Sequence, residues 1–296
     1  MSTKEDIAVS YDVSNDFFAL WLDEQMNYSC ALFEDTDDLE LAQKKKLHFM
    51  ADMAHVQPGM RVVDIGCGWG GNLRYLVNER GVREANGITL STAQFEHIQR
   101  QRLPATTTAQ VSYRDYHPEE PFDAAISIGM FEHIATPEEA RDGRSVEVYR
   151  DYFRRVWRWT VSGAWFSLQT VIGGVLPRTS EDLRELEWVT RAIFPGAISP
   201  RLGDIAQAVS PCWEIMELHT RRGHYARTTG EWLRRLQAQR DVICGRWEPT
   251  RFEEYERYLR ACVMAFERGY QSLVQIALRR IGPDAARRPC AADNLV

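Results

Sequence analysis

Much is missing from this 296-residue chain, and each absence narrows its function. No apolar run approaches the roughly 20 residues that span a bilayer. The opening MSTKEDIAVSYDVSNDFF lacks the basic-then-apolar order of a secretory signal. A cytoplasmic protein without a transmembrane segment is expected. Cysteines stand at 30, 67, 212, 244, 262 and 290, but no two form a CxxC pair. Zinc and redox spacings are therefore absent, no metal site is expected, and the cysteines read as reduced thiols. Lysine occurs only at 4, 44, 45 and 46, all other basic positions being arginine, which reads as a compositional bias. No long basic run occurs and the formal charge is −6, so no nucleic-acid partner is indicated. Internal repeats are absent as well.

What is there is a globular composition, 44% hydrophobic and 26% charged, long enough for one large or two small domains. Residues 7–57 carry helical spacing, interrupted around EQMNYSCALFED, and end at the stop QPGM. The pattern then changes to RVVDIG (strand), NLRYLVNER (helix), EANGITL (strand) and STAQFEHIQRQRL, a helix capped by Ser91. QVSYRD and FDAAISIG read as strands, EVYRDYFRRVWRW as a helix and AWFSLQTVI as a strand. Alternation of this kind predicts an α/β fold, a doubly wound, mostly parallel sheet that binds ligands at its strands' C-terminal ends. An insertion at 174–208 with its own helix interrupts it. WEIMELHT resumes as a strand, TTGEWLRRLQAQRDVI and FEEYERYLRACVMAFERGY are helices, and SLVQIALR suits a last, antiparallel strand. The expected organisation is an N-terminal helical segment (1–57), a core (58–280) and a loose tail (281–296).

The stretch VVDIGCGWGG sets an acid and Gly66, Gly68 and Gly70 between a strand and a helix, where backbone can approach a ligand closely. The spacing is G-x-G-x-G, and EANGITL ends without an acid, which argues against NAD.

DIGCGWGG, GITLSTAQ and SIGMFEHI at these spacings, with YSCALF, IFPGAISP, HYARTTGEWLRRL and RGYQSLVQ, resemble the S-adenosylmethionine (SAM) methyltransferases of the cyclopropane-fatty-acid synthase family, which includes the mycolic acid cyclopropane synthases. The resemblance covers about nine-tenths of the chain and implies a class I, Rossmann-like SAM methyltransferase whose insertion caps the substrate. It implies that Gly66 and Gly68 lie against the methionine part of SAM, that Asp64 fixes the loop, and that Tyr28 and Ser29 close over the cofactor. Thr89, Leu90 and Gln94 would flank the ribose and carboxylate region, and Asp115–Tyr116 would meet the adenine.

In that family a Cys, a Glu, a His and a Tyr hold a bicarbonate ion that takes a proton as the ring closes. Cys30, Glu132 and Tyr225 match, but the family's HTI is here QTV, with Gln169 for the histidine and Val171 for the isoleucine. Glutamine donates an amide hydrogen bond but cannot shuttle a proton. Either Gln169 holds the anion by hydrogen bonds alone, or the pocket serves another acceptor. His133 reads as a structural residue, or as a base in a variant enzyme. The expected activity is methyl transfer to a carbon of an unsaturated substrate, with or without cyclopropane closure. The alternative is an amine or other small-molecule acceptor. ATPEEARDGRSVE is expected to be a loop, either at the mouth of the site or simply solvated. Leu176, Trp188, Phe194 and Ile198 of the insertion are expected near the acceptor channel. Peripheral membrane contact through the N-terminal helices and simple packing over the cofactor are both open.

Overall fold

The computed structural model describes residues 1–282. Helices α1 (Lys4–Tyr11), α2 (Asn15–Ala19) and α3 (Leu39–Met53) precede the first strand. Each has a side-chain cap: Thr3 and Asp6 form a capping box, Ser14 accepts from the Phe17 N–H, and Asp38 accepts from the Leu41 N–H. Then come β1 (Arg61–Ile65), α4 (Gly71–Arg80), β2 (Glu84–Thr89), α5 (Thr92–Gln101), β3 (Thr106–Gln110) and β4 (Phe122–Ile128). A 3-10 turn (Phe131–His133) and α6 (Pro137–Arg141) lead to α7 (Ser145–Trp159) and β5 (Thr160–Gly173). The insertion holds α8 (Ser180–Ala192) and α9 (Leu202–Ala208), followed by β6 (Trp213–Thr220), α10 (Arg222–Ala238), α11 (Arg240–Arg246), α12 (Pro249–Glu267) and β7 (Gln271–Arg280).

One seven-stranded sheet has the order β3-β2-β1-β4-β5-β7-β6. Its first five strands pair in parallel, and β7 runs against both its neighbours. Successive strand residues face opposite sides. Val62, Ala124 and Ile126 pack with Leu73 and Leu76 of α4, whereas Val63, Ile65 and Ala125 pack with Tyr152 and Phe153 of α7. Burial on both faces explains why these strands read as continuous apolar runs. A third cluster joins Phe17, Phe18 and Trp21 to Trp232 and Tyr255, clamping the N-terminal segment onto α10 and α12.

Four expectations are corrected. QVSYRD is not the third strand; β3 is TTTAQ, ending where that stretch begins. Its threonines favour extended backbone but leave it half exposed at the sheet edge, so it carries no apolar run. Ser112 turns the chain instead, its carbonyl accepting from the Asp115 N–H at 3.0 Å. The helix expected over 228–243 is two helices, α10 and α11, meeting at Gln239. The expected loop after FEHI contains α6, because Thr136 and Glu139 form a capping box around Pro137. The tail is tied down at its start: the Ile281 N–H donates to Cys212 O at 3.0 Å and its carbonyl accepts from Trp157 Nε1 at 2.8 Å. The rest of that expected tail, with Cys290, lies outside the described residues.

Candidate active site

The C-terminal ends of β1, β2 and β4 open onto a cavity of about 130 Å³. Its floor is the glycine turn. The Gly66 and Cys67 N–H groups both donate to Ile88 O, at 2.9 and 3.1 Å, tying the turn to β2. Gly66 sits at φ +83°, and a Cβ there would stand 2.5 Å from Met130 Cβ. Gly68, at φ +55°, has no atom within 4 Å of where its Cβ would be; that space is the cavity itself.

Tyr28, Ser29, Asp64, Gly66, Gly68, Thr89, Leu90 and Gln94 all stand at this wall. Thr89 Oγ1 donates to Gln94 Oε1 at 2.8 Å and accepts from the Ser91 N–H at 3.2 Å, fixing the rim. Asp115 and Tyr116 do not reach it. Val111 and Tyr113 line the cavity in their place, while the Tyr116 ring packs edge-on against Trp159 at 5.4 Å. The correction follows from β3, which ends earlier than expected and brings the first residues after it to the cavity.

Buried Asp64 has an unpartnered Oδ1, and both amide atoms of Asn72 beside it are unpartnered too. Burial pushes the Asp64 carboxyl up to about 7, opposed in part by the charge of Lys46. Two side chains of α3 hold the strap 27–30 above the turn. Gln43 Nε2 donates to Ser29 O at 2.8 Å and to Asn27 O at 3.2 Å, and Lys46 Nζ donates to Ser29 Oγ at 2.9 Å. Sequence reasoning missed Gln43, Lys46, Asn72 and Tyr11.

A second cavity, of about 160 Å³, lies behind the first. Tyr11, Tyr28, Gly129 and His133 line both. Much of the remainder is apolar or aromatic, with Phe194 and Ile198 from the insertion, Tyr225 from α10, and Tyr258 and Phe266 from α12, interspersed with Thr190, Ser199, Thr229 and Gln271. Leu176 is instead 86% exposed, and Trp188 packs under the Arg257 guanidinium, 4.1 Å from its ring centre.

Glu132 is at this second wall. Its Oε1 accepts from the Val171 N–H at 2.6 Å, its carbonyl accepts from the cap's Ile198 N–H at 3.0 Å, and Oε2 is buried without a partner. Burial raises its carboxyl to about 7, against the pull of the Val171 N–H. The Tyr225 ring stacks on Phe266 at 4.4 Å. Cys30 and Gln169 are fully buried but lie behind the lining. The Cys30 thiol donates to Ala31 O at 3.3 Å, and burial pushes it up to about 12, so it stays neutral.

Gln169 ends a relay. Arg221 Nε donates to Gln275 Oε1 at 3.0 Å, and Gln275 Nε2 donates to Gln169 Oε1 at 2.7 Å. Arginine only donates, so this direction is obligatory, and the Gln169 amide is left with its N–H groups to offer. Gln169 and Gln275 are paired across β5 and β7 on the sheet face shared by Val171, which lines the second cavity. At the outer end Arg221 Nη1 bonds Glu34 at 2.9 Å.

His133 stands between the cavities with both ring nitrogens engaged, Nδ1 by Ser2 Oγ at 3.1 Å and Nε2 by Tyr11 OH at 3.0 Å. Burial lowers its pKa to about 4, so it is neutral near pH 7 and a poor base. Met1 lines the first cavity, and its amino group pairs with Glu139 of α6 at 3.3 Å; this ties the segment after FEHI to the cavity mouth.

The sequence pattern of the mycolic acid cyclopropane synthetase family matches residues 1–276. The chain is 31% identical over 289 residues to cyclopropane mycolic acid synthase 2 of Mycobacterium bovis, covering 93% of this chain and 94% of that relative. It is 33% identical over 272 residues to the cyclopropane-fatty-acyl-phospholipid synthase of Escherichia coli, covering 91% of this chain and 66% of that one. The crystal structure of mycolic acid cyclopropane synthase CmaA1 complexed with SAH and CTAB overlays with a TM-score of 0.84 at 28% identity, over 94% of this chain and 98% of that one.

Proposed function

Because the chain belongs to the mycolic acid cyclopropane synthetase family, and is a class I SAM-dependent methyltransferase of the cyclopropane synthase type, we propose that it methylates a carbon of an unsaturated acyl chain lying in the second cavity. The first cavity suits SAM. Asp64 Oδ1 and the Asn72 amide are buried polar atoms in need of a ligand, and the open side of Gly68 admits one. When bound there, SAM supplies an electrophilic methyl on a sulfonium.

The protein's own part is positioning, exclusion of water and handling of charge. Tyr11, Tyr28, Gly129 and His133 form the partition across which the acceptor would meet the methyl. The rings of Tyr28, Tyr225 and Tyr258 stabilise positive charge developing on the acceptor carbon. A bicarbonate ion beside Glu132 would meet the Tyr225 hydroxyl at the wall and would supply a proton acceptor; the Gln169 amide stands behind that wall, and Cys30, its thiol hydrogen given to Ala31 O, stays a buried neutral neighbour. Glu132 Oε2 is the single observation that carries this reading: a buried carboxyl oxygen without a partner at the wall of the acceptor cavity. The relatives named above are cyclopropane synthases, which favours carbon over an amine as the acceptor. CTAB, a single-chain amphiphile, accompanies SAH in CmaA1, and an acyl chain at a lipid surface is the corresponding partner proposed here.

The test uses SAM with a fully deuterated methyl and vesicles of unsaturated phospholipid. A lipid product keeping two of the three deuteriums means methylene insertion. Three deuteriums in the lipid mean methylation without ring closure, with Gln169 no longer supporting the anion. Label found only in polar amines overturns the proposal.

A further inference from the structure

The cofactor cavity holds a buried cation without a matching anion in contact. Lys46 is 1% exposed and reaches the cavity wall from α3. Its hydrogen bond goes to Ser29 Oγ at 2.9 Å, and Asp23 and Asp64 act on it only through space. Asp23 is already engaged by Asn27, whose backbone and amide N–H groups both donate to its carboxylate at 2.7 Å. Burial of such an ammonium is costly, and it pulls Lys46 down to about 8. The opposite charge is just as exposed to loss: Asp64 Oδ1, on the same cavity, has no partner. A positive and a negative group thus flank one space without satisfying each other.

The Lys46–Ser29 bond also has a direction. An ammonium only donates, so Ser29 Oγ accepts and its own hydrogen is free to point elsewhere. Ser29 lines the cavity.

We infer that Lys46 reads the carboxylate of the cofactor's amino-acid end, supplying its counter-charge and, through Ser29, a hydroxyl oriented to donate to it. Lys46 is a positioning residue: it acts through Ser29 and leaves the methyl group alone. The inference rests on SAM occupying the first cavity. A side chain that merely supports the strap would weaken every nucleoside ligand alike. One that reads a carboxylate weakens only ligands that have one.

The test compares S-adenosylhomocysteine with 5′-methylthioadenosine, which shares the nucleoside thioether and lacks the amino-acid end. Their binding to the full chain is measured by titration calorimetry. Lys46→Met should lower affinity for S-adenosylhomocysteine about 10- to 100-fold and change that for methylthioadenosine less than about twofold. Ser29→Ala, which disturbs packing less, should give the same selective loss at smaller size. An equal loss for both ligands, or no loss for S-adenosylhomocysteine, overturns the inference. If Lys46→Met does not fold, the selectivity of Ser29→Ala decides. Failure of the unaltered protein to bind either ligand would instead overturn the premise that this cavity takes SAM.

Discussion

The two cavities share four wall residues and differ in almost everything else. The cofactor side is built on one continuous turn, 64–72, whose shape is set by positive-φ glycines and by backbone bonds to β2. The acceptor side is assembled from side chains of β5, the cap, α10 and α12, which approach one another only in the folded chain. The first keeps opposite charges apart and unpaired; the second surrounds one carboxyl with tyrosines and phenylalanines. A floor built from backbone tolerates little local change, even though the strap 27–30 and α3 complete the cavity above it. A side-chain-built site can be retuned at any one of several places. The partner with fixed chemistry faces the former, and the variable partner faces the latter.

That division can be broken by mutation. The largest effect is expected from Glu132→Gln. Turnover should fall about 10²- to 10⁴-fold, as for loss of a general acid–base group, while affinity for S-adenosylhomocysteine holds within about twofold. Parallel loss of both would show that the cavities are not separable. Gly66→Val attacks the other side, where φ is +83° and Met130 is 2.5 Å from the new Cβ. It should cost about 2–4 kcal/mol of stability in denaturant unfolding and remove measurable cofactor binding.

A third test uses pH. Burial raises the Glu132 carboxyl to about 7, so the folded chain holds that proton more tightly than the unfolded one. Its favourable contribution is complete below the unfolded value and lost as pH rises through about 7. The unaltered protein should therefore lose roughly 2–3 kcal/mol relative to Glu132→Gln between about pH 4 and 8, read by thermal unfolding across that range. A constant difference would mean that Oε2 is solvated after all. The smallest effect is expected from Arg221→Met, which frees the Gln275 and Gln169 amides to turn. Turnover should drop about 3- to 10-fold, in line with the net worth of one ordinary hydrogen bond, with cofactor affinity unchanged. Gln169→His in the same background should restore it if the relay only orients a donor.

How far the sequence could be read follows the same line. DIGCGWGG is local, and its strand–turn–helix context and cavity position are those expected. The antiparallel β7 was visible in its alternation even though its residues are buried on both faces. Asp115 and Tyr116 were assigned by resemblance alone; β3 ends at Gln110, and the residues directly after it, Val111 and Tyr113, reach the cavity instead. His133 could not be understood from FEHI alone, since Ser2 and Tyr11, 131 and 122 positions away, hold its ring. Lys46 did leave a trace. In a chain that otherwise spells basic residues as arginine, three of four lysines sit together in α3, and the last of them is buried. Composition explained the arginines; only the folded chain gave that lysine a place to point.

The Glu34–Arg221–Gln275–Gln169 series has one further consequence. Its outer carboxylate is half in solvent and its inner amide is fully enclosed. What passes inward is direction: the Arg221 guanidinium, anchored by Glu34 at the rim, decides which way the buried Gln169 amide faces. The acceptor site is thereby coupled to the surface of the protein by orientation alone.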